Sequence, residues 1–273
     1  MANSVSIKEM LARFSLSPNQ ALGQNFLADA AKAQAIAGAA CAGGYPILEI
    51  GPGLGALTEP LLDRAPRVCA VELDRAMVQV LDILFQGREN FTLIQGDFLK
   101  ADLAAVSGIL GGPFSVAGNL PYYATTPICL RLLGTDLPIM RMALMTQTEA
   151  AERFTARPGS RQYGPLAVLS QYYFHPETFM DLSPADYYPQ PDVNSRVTLF
   201  QRRAGRAFCP GFLPFLQQAF SMRRKTLRNN LKNVPHARET LAEAGLLPTA
   251  RAEELDVESL AALYQSLVGC RQG

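Results

Sequence analysis

Five short apolar runs, Pro46 to Ile50, Arg67 to Glu72, Phe91 to Gln95, Phe114 to Asn119 and Met140 to Thr146, each have the length of a buried strand. Helical patterns lie between them at Leu57 to Leu62, Arg75 to Phe85 and Pro127 to Leu133. Alternation of this kind needs right-handed crossovers, so it predicts a parallel sheet with helices on both faces. The expected fold class is α/β with a Rossmann-like sheet. Ligands of such sheets bind beyond the carboxyl ends of the strands. Glu49, Glu72, Asp97 and Asn119 all fall at or near such ends.

Beyond Thr148 the pattern is helical to Phe154, and Arg157 to Gly164 reads as a loop because of Pro158, Gly159 and Gly164. Val197 to Phe200 fits a late strand. After Phe200 short amphipathic helices are expected at Phe212 to Ser221, Arg223 to Leu231, Ala237 to Ala244 and Val257 to Val268. A boundary near Gly205 therefore separates an α/β domain, residues 1–205, from a small helical domain, residues 206–273.

Composition adds a soluble globular chain: 273 residues, 48% hydrophobic, long enough to fill a core. The amino terminus carries Lys8, Glu9 and Arg13 where a leader would have an apolar run, and no stretch is uniformly apolar, so a cytoplasmic protein without a membrane span is expected. Five scattered cysteines show no disulfide or zinc spacing, and no metal site is expected. The net charge of +1 hides an asymmetry: residues 1–200 hold 14 Lys/Arg against 18 Asp/Glu, and residues 201–273 hold 11 against 6. Gln201 to Lys232 contains eight cations and no acid. Such a run is either a solvated face or a site for phosphate.

Glu49-Ile50-Gly51-Pro52-Gly53-Leu54-Gly55 follows the first strand and opens a helix, letting backbone pass close to a ligand. Taken alone the loop also satisfies the dinucleotide spacing, with Glu72 where a ribose-binding acid would sit, so a nicotinamide enzyme is a rival. Asn119-Leu120-Pro121-Tyr122 argues otherwise. An amino group conjugated to a ring is a poor nucleophile, and it must be drawn toward tetrahedral geometry before it attacks carbon. The Asn119 oxygen and the Leu120 carbonyl, held before Pro121, can accept its two N–H bonds, while Tyr122 offers a face to the base. These parts suit N-methylation of adenine. In that reading Glu72, which could instead pair with Arg75, takes both ribose hydroxyls of S-adenosylmethionine, and Asp97 accepts from its adenine amino group.

With these motifs assembled, the chain closely resembles the small-subunit ribosomal RNA adenine dimethyltransferases. The resemblance runs nearly end to end. It is carried by Leu22 to Leu27, Glu49 to Thr58, Val71 to Arg75, Asn119 to Tyr122 with Thr126-Pro127, Gln147 to Arg153, Gly159-Ser160 with Tyr163-Gly164, Pro189 to Ser195, Phe220 to Leu231 and Arg251 to Leu255. Asn19-Gln20-Ala21 departs from it, standing where the family carries a basic pair. The resemblance implies transfer of four methyl groups to two adjacent adenosines near the 3′ end of small-subunit rRNA during ribosome assembly; a monomer is the default expectation. It implies cofactor contacts from Asn25, Leu27, Gly51, Gly53, Glu72, Leu73, Asp97, Phe98 and Asn119. Tyr122 and Tyr187 would sandwich the target base, and Arg223, Arg224, Lys225 and Arg228 would bind RNA phosphate. A large-subunit enzyme of the antibiotic-resistance type is the nearest enzymatic rival, and a non-catalytic assembly or nucleic-acid-binding factor is the alternative of another class.

Overall fold

A computed structural model describes residues 6–19 and 22–268; Gln20 and Ala21, within the departure noted above, lie outside the described residues. The strands are β1 (Phe26–Leu27), β2 (Ile47–Ile50), β3 (Val68–Glu72), β4 (Phe91–Gln95), β5 (Phe114–Asn119), β6 (Ile139–Gln147), β7 (Phe174–Leu182), β8 (Tyr187–Tyr188) and β9 (Ser195–Arg202). Seven of them form one sheet in the order β4-β3-β2-β5-β6-β9-β7, and β1 pairs with β8 separately. β4, β3, β2, β5 and β6 run parallel, and β9 is antiparallel to β6. The five expected parallel strands are present, each within one residue of its expected bounds.

β2 and β3 are buried along their whole length, which is why they read as apolar runs without alternation. From β2 the chain builds outward to β3 and β4, then returns to β5 and builds the other way, so the ends of β2 and β5 flank the topological switch point. The two strands approach closely there. A Cβ at Gly118 would lie 2.7 Å from the Ile50 carbonyl oxygen. Helices Ala30–Cys41, Arg75–Leu84 and Leu103–Leu110 each start on an aspartate, Asp29, Asp74 and Asp102, whose side chain accepts a first-turn N–H.

The described residues divide into two units. One holds the residues up to Ile128, 137–151 and 177–202; the other holds 129–136, 152–176 and 203 onward. The boundary expected near Gly205 lies close to the last crossing, but two earlier segments join the helical part. By this division the described residues of the first unit carry 11 Lys/Arg against 16 Asp/Glu and those of the second 13 against 8. The second unit is centred on aromatic rings, with Phe212 at 5.2 Å from both Tyr172 and Tyr264. One expected element is shorter than predicted: Thr226 caps a helix covering only Leu227–Asn230, so Arg223, Arg224 and Lys225 precede it as turn. Among the described residues no helix is long and apolar enough to cross a membrane.

Candidate active site

The loops that follow β2 and β5 line one cleft of about 190 Å³ in the first unit. Eleven residues expected at the site line it: Asn25, Leu27, Gly51, Gly53, Glu72, Leu73, Asp97, Phe98, Asn119, Leu120 and Tyr122. Tyr187 does not. It is 3% exposed, packs in the core with Leu27, and sits opposite that residue in the β1–β8 pair. The expectation that it stacks on the base is therefore corrected: the strand pairing turns its ring into the core.

Gly51 and Gly53 adopt φ of +66° and +57°, a region costly for residues with a Cβ, and a Cβ at Gly53 would also press on the Phe26 ring at 3.0 Å. The loop is fastened by Glu72. Its Oε2 accepts the Gly53 N–H at 3.0 Å and its Oε1 the Asp74 N–H at 2.8 Å. Burial raises the Glu72 pKa, and these backbone N–H groups pull it partly back by favouring the ionised form. Each oxygen keeps a further lone pair, enough for two vicinal hydroxyls.

Asn119 is set by a long-range contact. Its Nδ2 donates to the Asn25 carbonyl at 2.8 Å, across 94 residues of chain. That bond decides which end of the amide is nitrogen and leaves Oδ1 as the acceptor. Leu120 is fixed through its N–H, which donates to the Met145 carbonyl at 3.0 Å, while no described residue donates to its own carbonyl. Consecutive residues at the end of β5 thus each carry an acceptor without a protein donor. The Tyr122 hydroxyl shares a 3.1 Å hydrogen bond with Ser195, a fully buried residue at the start of β9 that sequence patterning did not single out for the site. Asp97 Oδ1 accepts the Leu99 N–H at 2.9 Å, and Oδ2 has only a loose 3.9 Å approach from Lys100.

Glu49, which opens the glycine motif, lies on the cleft lining, 1% exposed, with Oε2 unpartnered among the described residues. Burial drives its pKa from 4.5 up to about 8; the Glu72 charge adds to this and the Thr58 side chain partly offsets it. A carboxyl with a raised folded-state pKa stabilises the fold fully below 4.5 and loses that contribution as pH rises toward 8. Glu49→Gln should therefore be more stable than the natural chain at pH 8 and nearly equal at pH 4.5, with the gap growing by on the order of 1.4 kcal/mol per pH unit at most. Denaturant unfolding at the two pH values measures it, and a gap independent of pH would show that folding leaves the Glu49 pKa unshifted.

The lining fits an S-adenosyl donor. The glycine loop exposes bare backbone, Glu72 suits a diol, Asp97 offers one acceptor, and Leu73, 45% exposed although apolar, adds apolar surface to the lining together with Phe98. The family model described as ribosomal RNA adenine dimethylase matches residues 16–268. The chain belongs to the ribosomal RNA adenine dimethylase family. It is 39% identical to a ribosomal RNA small subunit methyltransferase A of Geobacillus thermodenitrificans, over 96% of this chain and 94% of that one. It is 41% identical to the protein of the same name from Acidobacterium capsulatum, over 90% of both chains. Among solved structures, the 23S rRNA methyltransferase ErmE superposes with a TM-score of 0.62 at 27% identity, over 89% of this chain and 99% of that one. A dimethyladenosine transferase from Plasmodium falciparum superposes at 0.68 with 21% identity, over 85% and 94%, and shares the fold. Membership makes the chain an S-adenosylmethionine-dependent rRNA adenine dimethyltransferase and retires the nicotinamide reading.

Proposed function

We propose that this dimethylase acts in the cytoplasm, as a monomer, on the assembling small ribosomal subunit. There it places two methyl groups on N6 of each of two adjacent adenosines in the hairpin loop near the rRNA 3′ end. The observation that carries the chemistry is the acceptor pair of Asn119 and Leu120 at the end of β5, oriented by Asn25 and Met145. The choice of the small subunit is supported by relatives of that name at 39% and 41% identity, against 27% for the 23S enzyme.

S-adenosylmethionine supplies an electrophilic methyl group on a sulfonium centre. Glu72 and the Gly51–Gly53 loop would hold the donor, with Leu73 and Phe98 adding apolar surface to its site. Asn119 Oδ1 and the Leu120 carbonyl accept the two N–H bonds of the target amino group, which draws its lone pair out of conjugation. Tyr122 stacks on the extruded base. No side chain needs to act as a base, because the proton turns acidic once nitrogen has a fourth substituent, and water can take it. Neither His175 nor His236 lines the cleft. The cationic second unit, with Arg224, Lys225 and Arg228 exposed, faces RNA phosphate in this reading.

Tyr122→Phe keeps the ring and loses the Ser195 bond, so single-turnover transfer should fall by less than about tenfold. Ser195→Ala should match it, and the double variant should be no worse than either. Tyr122→Ala, which removes about 1–3 kcal/mol of stacking, should lose up to about a hundredfold. Equal damage from Phe and Ala would mean that the hydroxyl, not the ring, matters. To test the substrate, purified protein is incubated with methyl-labelled S-adenosylmethionine and either unmodified small subunits or large-subunit rRNA. Label is expected on the former; label only on the latter would move the enzyme to the 23S group.

A further inference from the structure

Three stretches that the cleft does not use, the loop Arg157 to Gly164, the basic turn at Arg223 and the Arg251 to Leu255 segment, meet in the second unit. Arg223 joins them. Its Nε donates to Glu253 Oε2 at 2.5 Å, one terminal nitrogen donates to the Ser160 carbonyl at 2.6 Å, and the other donates to the Arg161 carbonyl. The Gly159 N–H closes the knot on the Glu253 carbonyl at 2.6 Å. Beneath it the buried Tyr163 ring packs edge-on against Phe220 at 5.9 Å. An exposed ion pair alone holds a loop weakly. A planar guanidinium with three simultaneous acceptors, two of them on the loop backbone, fixes it far better.

Flanking these bonded residues in the chain are Arg157, Arg161, Arg224, Lys225 and Arg228, all exposed and without an ion-pair partner among the described residues. Holding like charges together costs energy unless something anionic joins them, and a braced loop lowers the ordering cost of binding that partner. We propose that the knot is a preformed surface for RNA phosphate, in which Arg157 and Arg161 join Arg224, Lys225 and Arg228 as contacts and Arg223 is a positioning residue. This rests on the RNA-docking reading of the second unit, and it replaces the expectation that Arg223 itself grips phosphate.

The test measures binding of the full-length enzyme to unmodified small subunits over a range of salt, with limited trypsin cleavage after Arg161 in the free protein as a second readout. The double variant Arg157→Gln/Arg161→Gln should flatten the slope of log affinity against log salt by about 1.4–1.8, the effect of two lost phosphates. Arg223→Lys keeps the charge but loses the fork, so cleavage should quicken about tenfold and affinity should fall while the slope stays. Glu253→Ala changes no cation and should also quicken cleavage. An unchanged slope in the double variant overturns the proposal. So does an Arg223→Gln slope loss of about one with natural cleavage, which would make Arg223 a direct contact. Salt-independent binding by the natural enzyme would overturn the RNA-docking reading itself and this surface with it.

Discussion

Asn119→Ala is expected to slow single-turnover methyl transfer at saturating cofactor and RNA by about 10²–10³-fold, the usual effect of deleting one preorganised polar partner of a reacting group. The loss belongs to the chemical step because the side chain has one atom for each task. Nδ2 is spent on the Asn25 carbonyl at 2.8 Å, and Oδ1 is left for the amino group. Asn119→Asp sharpens the point. It keeps an acceptor but puts a carboxylate against the Asn25 carbonyl, so it should be impaired nearly as much despite its nearly identical shape. Quenched-flow transfer measures both, and unimpaired transfer by the Ala variant would remove Asn119 from the chemistry.

Glu72→Ala should act on the other ligand. Two charge-assisted hydrogen bonds, to the Gly53 and Asp74 N–H groups, hold the glycine loop, and each is worth about 1.5–3 kcal/mol. Losing them together with the contact to the cofactor diol should weaken S-adenosylmethionine binding by about a hundredfold or more. The transfer rate at saturating cofactor should stay within a few-fold of the natural one. Calorimetric titration combined with single-turnover rates separates the two effects. An unchanged Kd would mean that the loop is held by something other than Glu72.

What could be read from sequence was what is local. The glycine loop and Asn119-Leu120-Pro121-Tyr122 are contiguous, follow apolar runs, and lie where a parallel sheet must bind ligands, so the placement of Gly51, Gly53, Asn119, Leu120 and Tyr122 on the cleft is legible locally, and that of Glu72 and Asp97 from their strand ends, whereas Asn25, Leu27, Leu73 and Phe98 enter only through the family resemblance. What the local pattern does not carry depends on contacts between distant segments. Tyr187 and Tyr188 are adjacent, and only the pairing of β8 with β1 decides which ring turns inward. Arg223 looked like part of a free basic run because Glu253 lies 30 residues away. Ser195 gave no signal, since its role is a bond to a hydroxyl 73 residues earlier. β7 carries His175, Glu177 and Thr178, is largely exposed, and so lacks the apolar run that marked the central strands. The helix Ala30–Cys41 leaves no periodic signal in the sequence because its alanines show little contrast between faces. The regrouping of 129–136 and 152–176 with the carboxyl-terminal helices is a fact of packing that no local pattern carries.

The central claim is that one cleft brings donor and adenine amino group together, twice on each base, between the ends of β2 and β5. Nucleoside analysis of small-subunit rRNA after exhaustive incubation with the purified protein and labelled S-adenosylmethionine tests it most directly. The account predicts label as N6,N6-dimethyladenosine, two residues per subunit, formed about 10²–10³-fold more slowly in Asn119→Ala when the time course is followed. Label on any other nucleoside, or dimethyladenosine formed at an undiminished rate by that variant, would contradict it.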